Sequence, residues 1–166
     1  QGIVHRDIKP DNILLSGRHA LVTDFGVAKA VEKSSGSGNL TSLGVALGTP
    51  AYMSPEQATA DPHTDHRADI YALGATLYEL LTGQPPFNGA NLGELLNAVL
   101  TAEPQAPRRL DRRIDADLET IVLKCLEKDR GRRYASAGEL ADDLDRFQRG
   151  DTIRARPDSL AYRLRK

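Results

Sequence analysis

The 166-residue sequence predicts a mostly helical domain built around one small β-hairpin. Apolar residues recur at helical spacing in four separate stretches beyond residue 65, and only one pair of short apolar runs flanks a turn-like tetrapeptide. Composition agrees: 40% hydrophobic and 27% charged residues is an ordinary globular balance, which excludes collagen-like, coiled-coil and wholly disordered chains. A single cysteine, Cys125, excludes a disulfide framework and any zinc site of the Cys-x-x-Cys type.

The hairpin comes first. Ile13-Leu14-Leu15 and Ala20-Leu21-Val22-Thr23 are the apolar runs, and Ser16-Gly17-Arg18-His19 is the expected four-residue connection. Residues 27–65 show no sustained period. Asp65 or Thr64 is expected to cap a helix from about Arg67 to Leu81, with Ile70, Leu73, Leu77 and Leu80/Leu81 on its apolar stripe and Gly83 and Pro85-Pro86 as its stop. Asn91 opens a second helix carrying Leu92, Leu95, Leu96 and Val99. Asp115 opens a third carrying Leu118, Ile121, Val122, Cys125 and Leu126. Ser136-x-x-Glu139 reads as a capping box ahead of Leu140, Leu144 and Phe147.

Charge is unevenly spread. Residues 146–166 hold seven basic groups against Asp151 and Asp158, whereas residues 1–145 hold 15 basic against 21 acidic groups. The basic tail is therefore expected to leave the fold near Gly150. No global basic excess points to nucleic acid. The longest apolar stretch, Ile70 to Leu81, is too short for a membrane span and contains Glu79, and no signal peptide is visible, so a cytoplasmic segment is expected.

The chemistry-bearing residues lie around the hairpin: His5-Arg6-Asp7-Ile8-Lys9-Pro10-Asp11-Asn12 before it and Asp24-Phe25-Gly26 after it. Asn12 immediately precedes the first strand and Asp24 immediately follows the second. Antiparallel pairing should set them side by side, about 5 Å apart at Cα. Their oxygens would suit Mg²⁺, which keeps its waters and takes few protein ligands. Asp7 can serve as a base or orienter and Lys9 supplies a positive charge. Phosphoryl transfer needs little else, because its catalysis is mainly positioning and electrostatics.

These residues resemble the protein kinase family, in particular serine/threonine kinases of bacterial type. His5-Arg6-Asp7 with Asn12 is similar to the catalytic loop, and Asp24-Phe25-Gly26 to the metal-binding motif. Gly48-Thr49-Pro50-Ala51-Tyr52-Met53-Ser54-Pro55-Glu56 resembles the end of an activation segment, with Ser54 where Ala is usual. Asp69-Ile70-Tyr71-Ala72-Leu73-Gly74 resembles the helix whose Asp braces the catalytic loop. Lys128-Asp129-Arg130-Gly131-Arg132-Arg133 resembles the segment whose Arg pairs with Glu56, with Arg130 where Pro is usual.

The resemblance implies a protein-kinase-like C-lobe over residues 1–148, followed by a basic tail at 149–166. It implies ATP and Mg²⁺ as cofactors and Ser/Thr hydroxyls of proteins as acceptors. Asp7 would be the base, Lys9 a phosphate contact, Asn12 and Asp24 metal ligands, and Leu14 a nucleotide contact. Thr49 would support the loop, and His5, Phe25, Glu56, Asp69 and Arg133 would be structural. Arg6 is either a loop-packing residue or the receptor for a phosphate at Thr41 or Ser42. No Gly-rich strand-turn-strand or strand lysine is present, so the chain is expected to depend on an N-lobe of its own protein and to be inactive alone. Arg154-Ala155-Arg156-Pro157-Asp158 resembles a juxtamembrane linker, which implies membrane proximity.

Two other functions share these residues. A pseudokinase-like scaffold would keep the fold without turnover, although Asp7, Asn12 and Asp24 are all intact. A small-molecule phosphotransferase would share the Asp and Asn but lack Lys9 and the 48–56 segment. His63-x-x-His66 reads as a polar helix entry rather than a metal site, and Cys125 as a buried helix residue.

Overall fold

A central helix, residues Arg67–Thr82 (α2), organises the chain. The computed structural model describes residues 4–17, 19–24 and 49–156. A 3₁₀ turn at Pro10–Asn12 leads into β1 (Ile13–Ser16), which pairs antiparallel with β2 (His19–Val22). Later come α1 (Pro55–Ala58), α2, α3 (Leu92–Thr101), α4 (Pro107–Leu110), α5 (Ala116–Cys125) and α6 (Ala137–Arg149). The short helices α1 and α4 have too few turns to display a period, and neither is among the four helices expected.

Helix α2 contributes to two apolar clusters. Tyr71, Ala75 and Tyr78 pack with Phe87, Leu95, Val99 and Val122, whereas Ile70 packs with Ile121, Cys125, Tyr134, Leu140 and Ile153. The expected leucine stripe is only partly right: Leu80 is 72% exposed. Small residues and tyrosines make the close contacts instead. A Cβ on Gly74 would come within 2.4 Å of the Cys125 Cβ, so α2 and α5 approach as only a glycine permits. Gly83, at φ +75, closes the helix in the left-handed conformation that suits a residue without Cβ.

The caps follow local chemistry. Asn91 accepts from the Glu94 amide, Asp115 from the Asp117 amide, and Ser136 from the Glu139 amide. At α2 the cap position falls on His66, one residue beyond Asp65. Asp65 accepts from the Arg67 amide at 2.9 Å and grips its guanidinium, whose hydrogen bond holds the Asp65 carboxyl at about 2 against the opposing effect of burial.

The chain does not leave the fold at Gly150. Gly150 turns it at φ +77, and Ile153 is then buried in the second cluster. Asp143, fully buried on α6, accepts from the Arg154 amide at 2.7 Å, the Ala155 amide at 2.8 Å and the Tyr134 hydroxyl at 3.0 Å. Arg156 pairs with buried Asp117 at 3.2 Å. Residues 151–156 thus form a strap, and the point of departure moves to Arg156 or beyond. Charge alone hid this, because Ile153 is a lone apolar residue among polar ones. Among the described residues no helix is long and apolar enough to cross a membrane.

Removing the Asp143 carboxylate strands three donors around one buried position. Asp143→Ala should cost about 3 kcal/mol, measured by urea unfolding. Asp142→Ala, which loses only an exposed pair with Arg154, should change stability by less than about 0.5 kcal/mol.

Candidate active site

The segment from residue 5 to 12 has little regular structure, so its shape comes from outside. Asp69, in the first turn of α2, accepts the His5 amide on one carboxylate oxygen and the Arg6 amide on the other, both at 2.8 Å. Arg6 has φ +68, an uncommon conformation for a residue with a Cβ, and its paired amide holds it there. From the side, the Gln57 amide nitrogen donates to the Arg6 carbonyl at 2.9 Å.

Buried His5 links the loop to the hairpin. Its Nε2 lies 2.9 Å from the Thr23 carbonyl oxygen, and its Nδ1 accepts the Asp7 amide at 3.3 Å. The tautomer carrying its proton on Nε2 satisfies both contacts. Asp7 and the residue preceding Asp24 are thereby tied to one imidazole.

Asn12, also buried, grips Asp7 twice. Its side-chain NH₂ donates to the Asp7 carbonyl at 2.8 Å and to Oδ2 of the Asp7 carboxylate at 3.1 Å. Lys9 Nζ lies 3.4 Å from the same Oδ2. Because the amide nitrogen is committed to Asp7, the Asn12 Oδ1 faces the other way and keeps its acceptor capacity.

Asp24 does not stand directly opposite Asn12. The ladder pairs Ile13 with Val22, so the next position pairs Asn12 with Thr23, whose amide donates to the Asn12 carbonyl at 2.9 Å. Asp24 lies one step further, exposed and at φ +58. The expected side-by-side placement was off by one because the two apolar runs, 13–15 and 20–23, differ in length by one residue: with Leu15 opposite Ala20, Asn12 faces Thr23 and not Asp24. Leu14 lies on β1, 55% exposed. Thr49 begins the 3₁₀ turn Thr49–Tyr52, but its side chain lies outside the described residues, as do Phe25, Thr41 and Ser42.

Glu56 and Arg133 hold the segment after Thr49 to the helical base. Arg133 donates to both Glu56 oxygens, at 2.7 and 2.8 Å, with its side chain wholly buried. Its remaining donors reach the carbonyls of Glu127, Arg67 and Lys128, and its guanidinium lies 4.9 Å over the Tyr71 ring. Burial pushes the Glu56 carboxyl up, but the hydrogen bonds and charge of Arg133 outweigh it, and the net shift is down.

Sequence reasoning missed Gln57. Ser54 accepts from the Gln57 amide and Gln57 returns a bond to the Ser54 amide, a capping box that positions the Gln57 side chain beside Arg6. The signal was present as Ser54-x-x-Gln57.

An aspartate braced by an amide, an adjacent ammonium and a helix carboxylate under the loop thus come together around residues 5–12. The chain belongs to the protein kinase family: the family's protein kinase domain matches residues 1–143. It is 42% identical to serine/threonine-protein kinase PknB of Mycobacterium tuberculosis over 151 residues, 90% of this chain and 24% of that protein. It is 40% identical to serine/threonine-protein kinase pkn3 of Myxococcus xanthus, over 98% of this chain and 30% of that protein. A probable serine/threonine-protein kinase of Streptomyces coelicolor is 41% identical over 93% of this chain. The chain spans about a quarter of the length of these relatives.

Breaking one side of the buried pair strands the other charge. Arg133→Ala should cost about 3–5 kcal/mol, whereas Arg132→Ala, whose side chain is 70% exposed beside Glu127, should stay within about 1 kcal/mol in the same denaturation assay. Because the Glu56 carboxyl is depressed when folded, its contribution is present above the ordinary value of 4.5 and is lost as pH falls through the folded value. Glu56→Gln should flatten the stability profile below pH 4.5, read by thermal melts across that range.

Proposed function

We propose that this chain is the helical, substrate-facing lobe of an ATP-dependent protein serine/threonine kinase. The observation that carries the reading is the double grip of Asn12 on Asp7 with Lys9 beside the same carboxylate. The Asp7 carboxylate, fixed in rotation, accepts the proton of a substrate hydroxyl as that oxygen bonds to the terminal phosphorus of ATP. The bond from that phosphorus to the departing diphosphate oxygen breaks. Lys9 balances negative charge on the phosphate in transit.

Asn12 and Asp24 are the residues that would hold Mg²⁺, and their donor chemistry fits: an amide oxygen turned away from Asp7 and a carboxylate, both hard. The ion, when bound, supplies charge neutralisation at the phosphates. Thr49 is assigned to support of the loop and choice of hydroxyl substrates, and Leu14 to contact with the nucleotide base. Arg6 has an exposed side chain on a backbone fixed from below, which suits a receptor for a phosphate at Thr41 or Ser42. The remaining basic tail suits a position close to an anionic membrane surface.

In the full-length protein, Asp7→Asn should lower kcat at least about 100-fold while ATP affinity stays near wild type. Lys9→Ala should lower kcat with a smaller effect on the acceptor's KM. Turnover of radiolabelled phosphate by Asp7→Asn at the wild-type rate would overturn the assignment.

A further inference from the structure

Arginine on this surface usually has a carboxylate partner. Arg67 has Asp65, Arg130 has Asp61, Arg132 has Glu127, Arg149 has Asp151 and Arg154 has Asp142. Among the described residues Arg6 and Arg146 stand singly without one, and Arg108, Arg109 and Arg112 lack one as a cluster. All three are exposed, and among the described residues no carboxylate lies within 4.0 Å of their guanidiniums.

The acids nearest in sequence are already committed. Asp111 is held by Arg113 through three side-chain contacts of 2.7–3.1 Å. Glu119 accepts the Arg108 amide at 2.7 Å, and Asp115 accepts the Asp117 amide at 2.7 Å. Three positive charges therefore stand uncompensated within five residues of a chain whose first 145 residues carry a net negative charge.

The stretch is also pre-organised. Pro107 is buried at the first position of α4, Tyr78 donates its hydroxyl to the Gln105 carbonyl at 2.9 Å, and Glu119 fixes the Arg108 amide. Leu110 sits among the arginines at 38% exposure. A rigid backbone reduces what a partner must order on binding.

We propose that residues 108–112 form a docking surface for an acidic segment of a protein, with carboxylates flanking one apolar side chain. Carboxylates would pair with the guanidinium forks of Arg108, Arg109 and Arg112, and the apolar side chain would cover Leu110. A uniformly anionic surface fits less well. Asp111 lies within the patch and works against a continuous sheet of negative charge, whereas a peptide can set its carboxylates to either side of it. Three charges at about 1 kcal/mol each also give only marginal attachment to a bilayer.

The test uses the full-length protein and a fluorescent synthetic peptide, rich in Asp and Glu with one central Leu, read by anisotropy. Wild type should bind it with an affinity that falls as salt rises. The triple variant R108E/R109E/R112E should lose at least about tenfold in affinity, whereas R132E should bind like wild type. The triple variant should instead bind a Lys-rich peptide with the same central Leu, which a misfolded protein would not do. Equal affinity of triple variant and wild type for the acidic peptide would overturn the proposal. So would absence of binding by wild type, or a stronger, triple-sensitive attachment to phosphatidylserine vesicles than to the peptide.

Discussion

The carboxylate of Asp69 is the constraint on which the candidate site rests. Residues 5–9 form neither helix nor strand, so their amides need partners from elsewhere. One side chain supplies two of them, at His5 and Arg6, from the first turn of a helix buried in two apolar clusters. The stiffness of α2 thus passes to the loop through two charge-assisted bonds. Arg6 can then occupy a left-handed conformation, and this sets the direction in which the chain presents Asp7.

The Glu56–Arg133 pair solves a different problem. Burying two charges costs several kcal/mol each, and their attraction repays that only where every donor is used. Here each guanidinium nitrogen finds an acceptor: both Glu56 oxygens and three carbonyls from two separate segments. What the arrangement secures is placement. The helix after the 3₁₀ turn Thr49–Tyr52 can dock in one register only, and Gln57, next to Glu56, then reaches the Arg6 carbonyl. The two departures from the family pattern fall within this framework. Ser54, where Ala is usual, caps that helix. Arg130, where Pro is usual, donates to Asp61 and to the His63 carbonyl, closing the entry to α2.

The hairpin, the four longer helices and most of their caps were legible because each rests on local chemistry. Apolar spacing, an Asn, Asp or Ser ahead of it, and Gly after it are all written within a few residues. The features that escaped depend on non-local fit. The ladder sets Leu15 opposite Ala20, and because the second apolar run is one residue longer than the first, Asp24 falls one position beyond Asn12. Leu80 matched the helical period yet faces outward, because the tight packing of α2 runs through Gly74 and Ala75. The strap escaped because a single Ile153 carries no period, and its amides find Asp143 across a turn. Of the candidate site, the identities of Asp7, Lys9 and Asn12 were legible. Their mutual hydrogen bonds were not, since spacing in a loop does not specify which atoms meet.

Polar contacts at the site and apolar contacts beneath it do different work. Apolar packing is strong in sum but tolerant of small slides, because burial depends on area rather than direction. Hydrogen bonds fail within a few tenths of an ångström and tens of degrees. A reacting group displaced by about 1 Å can lose 100-fold in rate, so registration needs the directional kind. Here the directional bonds go mostly to backbone atoms: Asp69 to two amides, Gln57 and Asn12 to two carbonyls, His5 to a carbonyl and an amide. Backbone atoms are present whatever the side chain. The geometry around Asp7 therefore depends heavily on the few side chains that read the main chain. That inverts the usual ranking of a loop's residues. Asp69 and Gln57, distant in sequence, constrain the shape of residues 5–7 more than Arg6, whose side chain is left to face outward.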